Sequence, residues 1–368
     1  MSWTPSPVAG SGELWEPPRV ASVRGVLPKN RYEQATLTDA LIDWTLLGEE
    51  RRRLLRQFHA NSAVRSRHLA LPLEEYPKLT GLGQANDAYL AAALELVEEA
   101  VTGALDEASL KAADIDFVVC ASTTGIATPS LDARLADRLG FRPEVKRMPL
   151  HGLGCVAGAA GLARLHDYLL HRPDQVALLV AVELCSLTLQ LSDDSLPALI
   201  GSALFGDGAA AVVMTGADRC CAAGRGSRIL ATRSRLYPGT ERLMGWDVTD
   251  SGFNIVLGHG IPAVIERYLA EDVDRFLADH HLSRRDIDRW VCHPGGPKVL
   301  RTIEDRLELP SAATDLTWRS LSEIGNVSSA SVLHVLRDTN RQEPPPGTLG
   351  LLMAVGPGFC AEFVLVRW

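Results

Sequence analysis

A helix–turn–strand unit occurs twice in this chain, and it constrains the fold more than any other feature of the sequence. In the first copy, a helical pattern over 89–105 leads through Ala-Ala-Asp-Ile-Asp into an apolar strand at 116–122. In the second copy, a helical pattern over 263–277 leads through Arg-Arg-Asp-Ile-Asp into an apolar strand at 288–293. A supersecondary unit that recurs in both halves indicates an internal duplication, so we predict an α/β fold of two stacked halves.

Further apolar runs complete the predicted sheets. Residues 175–183 and 208–214 are apolar nearly throughout, as buried central strands are. Residues 349–353 and 360–366 are predicted to form a closing hairpin. The predicted divisions of the chain are a proline-rich N-terminal tail over 1–18, a first half over 19–220 and a second half over 221–368.

Composition and charge argue against several classes of protein. The chain has 368 residues, of which 46% are hydrophobic and 22% are charged, an ordinary globular balance. Its formal net charge of −8 and the lack of a dense basic stripe argue against a nucleic-acid surface. The sequence shows no signal peptide and no apolar span of about 18 residues. The cysteines have no metal-ligand spacing, so we expect a cytoplasmic protein with no metal site and no membrane segment.

One cysteine is a candidate nucleophile. Cys155 lies in a glycine-rich run over 151–161, and a helical pattern follows it through Leu162, Leu165 and Leu169. This spacing predicts a tight turn that leads into a helix, with the thiol near the helix N-terminus. Unpaired N–H groups and the helix dipole favour a thiolate there, and a thiolate is a good acyl acceptor. The alternative is a structural cysteine buried beside glycines that permit close packing.

Three other residues carry chemistry only if they meet this cysteine. His293 follows a predicted buried strand, where open α/β sheets place their ligands, although a lone histidine is more often a satisfied polar residue. Asn326 opens a helical pattern and by itself is an N-cap or turn residue. Phe205 precedes a tight Gly-Asp-Gly turn and by itself is a core aromatic.

Five segments in this order resemble the thiolase-fold condensing enzymes, and specifically the type III, chalcone-synthase-like polyketide synthases. The segments are GCVAGAAG (154–161), LFGDGAAA (204–211), HPGGPK (293–298), GNVSSAS (325–331) and GPGF (356–359). The resemblance implies a thiolase fold, in which duplicated α/β halves form a layered αβαβα core, and it implies a homodimer. It also implies that Cys155 is the nucleophile of a triad with His293 and Asn326, and that Phe205 is a gatekeeper between a CoA tunnel and the cavity.

The implied chemistry follows from these residue types. Cys155 takes an acyl group from a CoA thioester, helped by an imidazolium–thiolate pair with His293. Decarboxylation of malonyl-CoA develops an enolate oxygen, which His293 and Asn326 stabilise as an oxyanion hole. Acyl-CoA and malonyl-CoA are the expected partners. No metal, flavin, nicotinamide or other cofactor is expected, because every step is thioester chemistry.

The resemblance also places residues around the substrate. The expected cavity wall contains Thr123, Thr124, Thr128, Cys185, Thr188, Trp246, Ile255, Ser328 and Pro357. Segments 123–129 and 244–247 look most like bacterial alkylpyrone and alkylresorcinol synthases, and the small residues Gly125 and Ala127 leave room for an alkyl tunnel. We therefore expect a fatty acyl starter and an alkylpyrone or alkylresorcinol product. Arg56 is the expected contact for a CoA phosphate.

Three alternatives stay open at this point. A malonyl-primed synthase, of the tetrahydroxynaphthalene or dihydroxyphenylacetyl-CoA type, also tends to carry cysteine at the position of Cys185, and the bulk of Trp246 shrinks the cyclisation chamber. A single-condensation ketoacyl synthase or acyltransferase would use the same triad. A protein of a different class, a thiolase-fold scaffold without catalysis, would retain the fold alone.

Overall fold

The structure, a computed structural model, describes residues 16–219 and 226–368. Its strands are β1 (Arg19–Val26), β2 (Asn30–Glu33), β3 (Ser66–Leu69), β4 (Phe117–Ala121), β5 (Lys146–Leu150), β6 (Val176–Leu184), β7 (Asp207–Thr215), β8 (Arg228–Leu236), β9 (Met244–Thr249), β10 (Gly252–Leu257), β11 (Arg289–Cys292), β12 (Leu349–Gly356) and β13 (Cys360–Arg367). Its helices are α1 (Gln34–Trp44), α2 (Glu49–Asn61), α3 (Leu82–Ala108), α4 (Leu131–Leu139), α5 (Ala157–Leu170), α6 (Leu196–Leu204), α7 (Ile261–Ala278), α8 (Pro297–Leu307), α9 (Asp315–Ile324) and α10 (Ser328–Asn340). Most of the predicted tail over 1–18, and the predicted boundary between 220 and 221, lie outside the described residues.

The main strands form two corresponding sheets that join at one edge. The order is β5-β4-β6-β7-β1 in the first half of the chain and β8-β13-β12-β11 in the second. A single residue pair, Arg19 with Arg228, links β1 to β8. In each half, the helix–turn–strand unit ends in a strand that pairs in parallel with its neighbour, β4 with β6 and β11 with β12.

The repeated Asp-Ile-Asp turns have the same structural role in both halves. The Asp116 carboxylate accepts a hydrogen bond from the Val176 N–H at 2.8 Å, and the Asp116 N–H donates to the Val176 carbonyl at 2.9 Å. Asp288 makes the same two bonds with Leu349, at 3.1 and 2.9 Å. Each aspartate therefore sets the register of a parallel strand pair where the pair begins, and the duplication predicted from the sequence is confirmed.

The alternation of side chains along the strands defines the layers. In β4, Val118 packs outward in the cluster that contains α3, whereas Val119 packs in the central cluster with α5 and α10. In β12, Leu352 packs in the same central cluster, and Leu351 packs outward with α7 and α8. The layers are thus α3, a sheet, α5 with α10, a second sheet, and α7 with α8. This is the predicted αβαβα core.

The two central helices touch at their first turns. A Cβ atom placed on Gly158, in the first turn of α5, would lie 2.3 Å from the carbonyl oxygen of Ser329, in the first turn of α10. Only a residue without a side chain permits so close an approach of two backbones. Because both helices begin at this contact, the residues just ahead of them, Cys155 and Asn326, lie at the same end of the central layer.

Three of the predicted site residues follow strands that end there. Thr123 follows β4, Cys185 follows β6 and His293 follows β11, all beyond the carboxyl ends of parallel strands. Open α/β sheets bind their ligands in the crevice outside these ends. Within residues 16–219 and 226–368, no helix is long and apolar enough to cross a membrane.

We predict that Gly158→Ala lowers the free energy of unfolding by about 1–3 kcal/mol, because the added methyl group must push apart two helices of the core. The measurement is the shift of the unfolding transition in denaturant. Gly83→Ala is the matched control: Gly83 also lies in a helix, α3, but a Cβ there meets nothing within 4 Å. Alanine at that position should leave stability unchanged or raise it. Equal losses in the two variants would contradict the assigned contact.

Candidate active site

The segment around Cys155 is a short 3-10 turn, Gly154–Val156, directly ahead of α5. The predicted tight turn leading into a helix is therefore confirmed. Gly154 has a φ of +50°, and a Cβ there would lie 2.9 Å from the ring of Pro357. The loop after β12 thus packs against the cysteine turn and leaves Cys155 only 6% exposed.

Burial dominates the acidity of this thiol. Desolvation raises the pKa of Cys155 to about 11; hydrogen bonds from Ser328 and Asn326 offset part of that rise, and the nearby Glu183 adds to it. The predicted stabilisation of a thiolate by the helix N-terminus must act against this cost of moving the charge out of water, and it stays a prediction.

His293 lies just past the end of β11, where its backbone N–H donates to the Met353 carbonyl at 2.9 Å. The side chain is 2% exposed, and both ring nitrogens lack a hydrogen-bond partner among the described residues. Burial lowers the pKa of His293 to about 3, so the ring is neutral at physiological pH. A neutral imidazole offers one N–H donor and one lone pair, and here neither is committed to the protein.

Two glycines, Gly206 and Gly325, let the segments that carry Phe205 and Asn326 approach closely: a Cβ at Gly325 would lie 2.7 Å from the Leu204 carbonyl oxygen. The Gly206 N–H donates to the Asn326 carbonyl at 2.9 Å, and the Asn326 N–H donates to the Leu204 carbonyl at 2.8 Å. A Cβ at Gly206 would lie 2.5 Å from the Ile324 carbonyl oxygen, so only glycine fits at this crossing. These two bonds hold Phe205, the gatekeeper candidate, beside Asn326, the triad candidate, in the way that residues on neighbouring strands are paired.

The side chain of Asn326 is oriented by the start of α10. Its Oδ1 accepts the Ser328 N–H at 2.9 Å. Because the Asn326 Oδ1 already accepts this bond, the amide N–H groups of the same side chain face Cys155. Their hydrogen bond to the sulfur lowers the pKa of that thiol. The amide can equally donate to a developing negative oxygen on a substrate.

Glu183 belongs to the site although no motif marks it. Its carboxyl is fully buried and accepts hydrogen bonds from the Ser329 hydroxyl at 2.7 Å, the Thr124 hydroxyl at 2.9 Å and the Thr123 N–H at 3.1 Å. Burial raises the pKa of Glu183 and the hydroxyl donors lower it. Glu183 thus connects the loop after β4 to the first turn of α10. In the sequence, Glu183 stands out because it is a charged residue at the end of the apolar run over 175–183.

A partly open cavity, whose volume of about 630 Å³ includes open solvent, adjoins these residues. Of the residues predicted to contact substrate, Cys185, Thr188, Phe205, Trp246 and Ile255 line it. Cys185 also lies close enough to Cys155 for a charge on one sulfur to raise the pKa of the other.

Other predicted wall residues lie elsewhere. Thr123, Thr124 and Ser328 bond to Glu183, and Pro357 packs on Gly154. Thr128 is exposed on the surface of the chain and lies outside the cavity. Arg56 is exposed on α2, next to the buried Leu55 that lines the cavity, so its contact with CoA stays a prediction.

The expected room for an alkyl tunnel at Gly125 is not there. A Cβ at Gly125 would lie 2.0 Å from the ring of Tyr89, a fully packed side chain of α3. Ala127 lines a separate surface pocket with His151. The small residues of this segment therefore accommodate Tyr89 and the surface, and the inference drawn from them is wrong. Among the described residues, no group of acidic, histidine or cysteine side chains could hold a metal ion.

Comparisons with known proteins agree with this architecture. Family models for the N-terminal and C-terminal domains of chalcone and stilbene synthases match residues 18–219 and 228–368. A 1,3,6,8-tetrahydroxynaphthalene synthase from Streptomyces peucetius subsp. caesius is 57% identical over 95% of this chain and 93% of its own length. A phloroglucinol synthase from Pseudomonas fluorescens is 33% identical over 93% of this chain and 97% of its own. The crystal structure of the bacterial type III polyketide synthase 1,3,6,8-tetrahydroxynaphthalene synthase from Streptomyces coelicolor A3(2) superposes with a TM-score of 0.90, at 33% identity, over 95% of this chain and 99% of that one.

The layered fold and the site at the meeting of two helix N-termini define a thiolase-fold condensing enzyme. Within that class, the chain belongs to the chalcone and stilbene synthase family. It is a type III polyketide synthase, an acyltransferase, as the five sequence segments indicated.

We predict that His293→Gln slows alkylation of Cys155 by iodoacetamide at neutral pH about tenfold or more. An imidazole can take the thiol proton as the sulfur attacks, whereas glutamine cannot, and burial disfavours a thiolate at neutral pH in both proteins. The measurement is the pH dependence of alkylation, followed by mass spectrometry of the peptide that contains Cys155. The rate in the variant should still rise at pH 10, because the thiolate population grows until the pH passes the thiol pKa.

His334→Gln is the control for this experiment. His334 is a buried histidine whose pKa burial likewise lowers to about 3, but its Nε2 bonds to the Ala209 carbonyl at 3.1 Å, within the core. Its replacement should leave the alkylation profile unchanged. Identical profiles for wild type and His293→Gln would show that His293 does not assist the thiol.

Proposed function

We propose that this type III polyketide synthase is primed with malonyl-CoA and makes a tetrahydroxynaphthalene-type product from malonyl units alone. The observation that carries the proposal is the 57% identity, over 95% of the chain, to the tetrahydroxynaphthalene synthase of S. peucetius. A naphthalene skeleton can be assembled wholly from two-carbon units, so one CoA thioester can be both starter and extender. This proposal takes precedence over the fatty acyl starter and the alkylpyrone or alkylresorcinol product expected from local sequence likeness.

The cavity wall supports a compact chain. The Trp246 ring lies 6.0 Å from the Phe253 ring, and the two aromatic side chains close one side of the cavity. Ile255 closes the adjacent side, since its Cδ1 lies 3.0 Å from a Cβ placed on Gly201 of α6. The Gln190 amide stands in the same wall and donates one N–H to the Thr188 carbonyl at 3.4 Å, which leaves its second N–H for a ligand. A polyketide chain carries a carbonyl on every second carbon and can use such a donor, whereas a long alkyl chain gains nothing from it.

In the proposed loading step, the Cys155 sulfur attacks the thioester carbonyl of malonyl-CoA. The unpaired nitrogen of His293 accepts the thiol proton, the carbon–sulfur bond to CoA breaks, and the CoA thiolate leaves. Burial disfavours an isolated charge on either group, so we place the proton transfer together with the attack of sulfur. The developing oxyanion is then the charge to be stabilised.

In the proposed extension step, a second malonyl-CoA loses carbon dioxide next to the acylated cysteine. The electrons of the broken bond enter the thioester carbonyl as an enolate, whose oxygen accepts hydrogen bonds from the His293 ring N–H and the Asn326 amide. The enolate carbon attacks the Cys155 thioester, and the cysteine leaves as thiolate. The lengthened chain, now on CoA, returns to Cys155, and the cycle repeats until the chain cyclises. No step requires a metal or redox cofactor.

We further propose that the enzyme acts as a homodimer. β5 is the edge strand of the first sheet, and its residues 146–149 are exposed in the single chain. Met148 on this edge and Ile126 nearby are large apolar side chains that face solvent. An exposed sheet edge presents unpaired backbone N–H and C=O groups, and a strand from a second copy of the chain can pair with them.

The enzyme supplied with malonyl-CoA alone should release tetrahydroxynaphthalene, detected by liquid chromatography with mass spectrometry. Cys155→Ala should abolish the product but keep malonyl decarboxylation measurable as carbon dioxide, since His293 and Asn326 remain. Asn326→Ala should lose decarboxylation more than acylation of Cys155. Undiminished product from Cys155→Ala would exclude that cysteine as the nucleophile. Product from fatty acyl-CoA starters only would exclude malonyl priming.

Trp246→Gly should enlarge the cavity and admit longer starters. We expect kcat/KM for octanoyl-CoA, relative to malonyl-CoA, to rise about tenfold or more, because the apolar chain gains buried surface where the indole stood. Val248→Gly is the matched control: Val248 lies on the same strand, β9, but is 65% exposed. A change in starter preference in both variants would point to disturbance of the hairpin rather than to cavity size.

A further inference from the structure

We infer that Arg67 is a positioning residue that fixes the Phe205–Asn326 crossing and thereby the geometry of decarboxylation and chain extension. The inference rests on the proposed function in one respect: Phe205 and Asn326 are taken to act on the substrate. Arg67 lies on β3, outside all of the motifs that identify the family, and is 4% exposed.

The guanidinium group of Arg67 holds the end of α6. Its Nη1 donates to the Phe205 carbonyl at 2.7 Å, and its Nε donates to the Gln34 Oε1 at 3.1 Å. The Gln34 amide in turn donates to the Ala203 carbonyl at 2.8 Å. Two side chains from β3 and α1 therefore bind the backbone on which the gatekeeper candidate sits. The bond to Phe205 is charge-assisted and so stronger than one between neutral groups.

The aliphatic part of Arg67 packs under the other segment of the crossing. A Cβ at Gly325 would lie 3.1 and 3.2 Å from its Cγ and Cδ. A Cβ at Gly206 would lie 3.7 Å from its Cβ. One side chain thus contacts both glycines that allow Phe205 and Asn326 to pair, and its removal would leave a cavity at that point.

Arg67 also lines a pocket that Phe205 shares. This second pocket is partly open, its volume of about 380 Å³ includes open solvent, and its lining is mostly apolar apart from Arg67, Ser186 and Ser202. Five residues line both pockets: Leu41, Cys185, Leu189, Ser202 and Phe205. The hydrogen bond from Arg67 therefore fixes the Phe205 backbone at a boundary that the two pockets share.

An ion pair with a carboxylate does not explain why the Arg67 guanidinium is buried. No carboxylate of the described residues lies within 4.0 Å of its guanidinium. Asp207, the nearest acidic influence, is engaged by the N–H groups of Ala70 at 2.7 Å and Ser186 at 2.8 Å. Burying an arginine without a direct partner is costly, so the hydrogen bonds to Phe205 and Gln34 are its main contacts.

The test compares Arg67→Met, Arg67→Lys and Gln34→Leu with wild type and with Arg31→Met. Arg31 lies on β2, which pairs with β3, but it is exposed and bonds to Ser66 and Glu33. The readouts are acylation of Cys155 by malonyl-CoA, carbon dioxide release, and the full product profile. They are taken with whichever starter wild type uses best among malonyl-, acetyl- and octanoyl-CoA.

We expect Arg67→Met to keep Cys155 acylation within about twofold while carbon dioxide release falls about tenfold or more and truncated products increase. Arg67→Lys should recover part of the loss, since it restores one donor, and Gln34→Leu should show a milder form of the same defect. Arg31→Met should match wild type. Because each variant is compared with wild type on the same starter, a wrong starter assignment changes the substrate used and not this comparison.

Equal losses of acylation and decarboxylation in Arg67→Met would overturn the inference, as would an unchanged product profile. Circular dichroism and thermal unfolding check that the variants fold. If Arg67→Met does not fold, the ratio of carbon dioxide release to Cys155 acylation in Arg67→Lys and Gln34→Leu decides the question. Unfolding of all three would show a general structural role, and the positioning role would be rejected.

Discussion

The contact between the first turns of α5 and α10 is the interaction on which the rest of this structure depends. Gly158 lets the backbone of α5 lie against the Ser329 carbonyl of α10. That approach places Cys155, just before α5, beside Asn326, just before α10, although 170 positions separate them in the sequence. Both sheets pack on this helix pair from outside. Cys185, after one strand, lies close to Cys155, and the loop that carries His293 packs on Leu204, next to Phe205.

Burial is the second property that governs the site. Desolvation raises the pKa of Cys155 and lowers the pKa of His293, so each group alone resists ionisation. In the proposed loading step, a proton that passes from thiol to imidazole creates both charges together, and in a site of low dielectric they would stabilise each other strongly. In the proposed extension step, the same burial would strengthen hydrogen bonds from His293 and Asn326 to an enolate. The site is therefore expected to stabilise charges that form together during the reaction better than a permanent charge on one group of the resting enzyme.

The expectation for the starter shows where reasoning along the chain fails. Gly125 looked like free space because its neighbours in sequence are small, but Tyr89 of α3 occupies that space in the fold. Glu183 and Arg67 were missed for a related reason. Their partners come from distant segments, Ser329 in one case and Phe205 in the other. Contacts between distant segments decide how much space surrounds a side chain and which groups it bonds to. A local sequence pattern does not contain that information.

By itself, the sequence determined the duplicated α/β architecture, because apolar periodicity and the repeated Asp-Ile-Asp turns are local properties that specify strands, helices and their register. It also determined the family, because five separate motifs keep their order. Only the tertiary structure decided that Cys155 is buried enough for its pKa to rise, that Tyr89 closes the space at Gly125, and that Arg67 supports the Phe205–Asn326 crossing. Desolvation, steric exclusion and long-range hydrogen bonding all depend on which segments meet in space, and that is settled by packing.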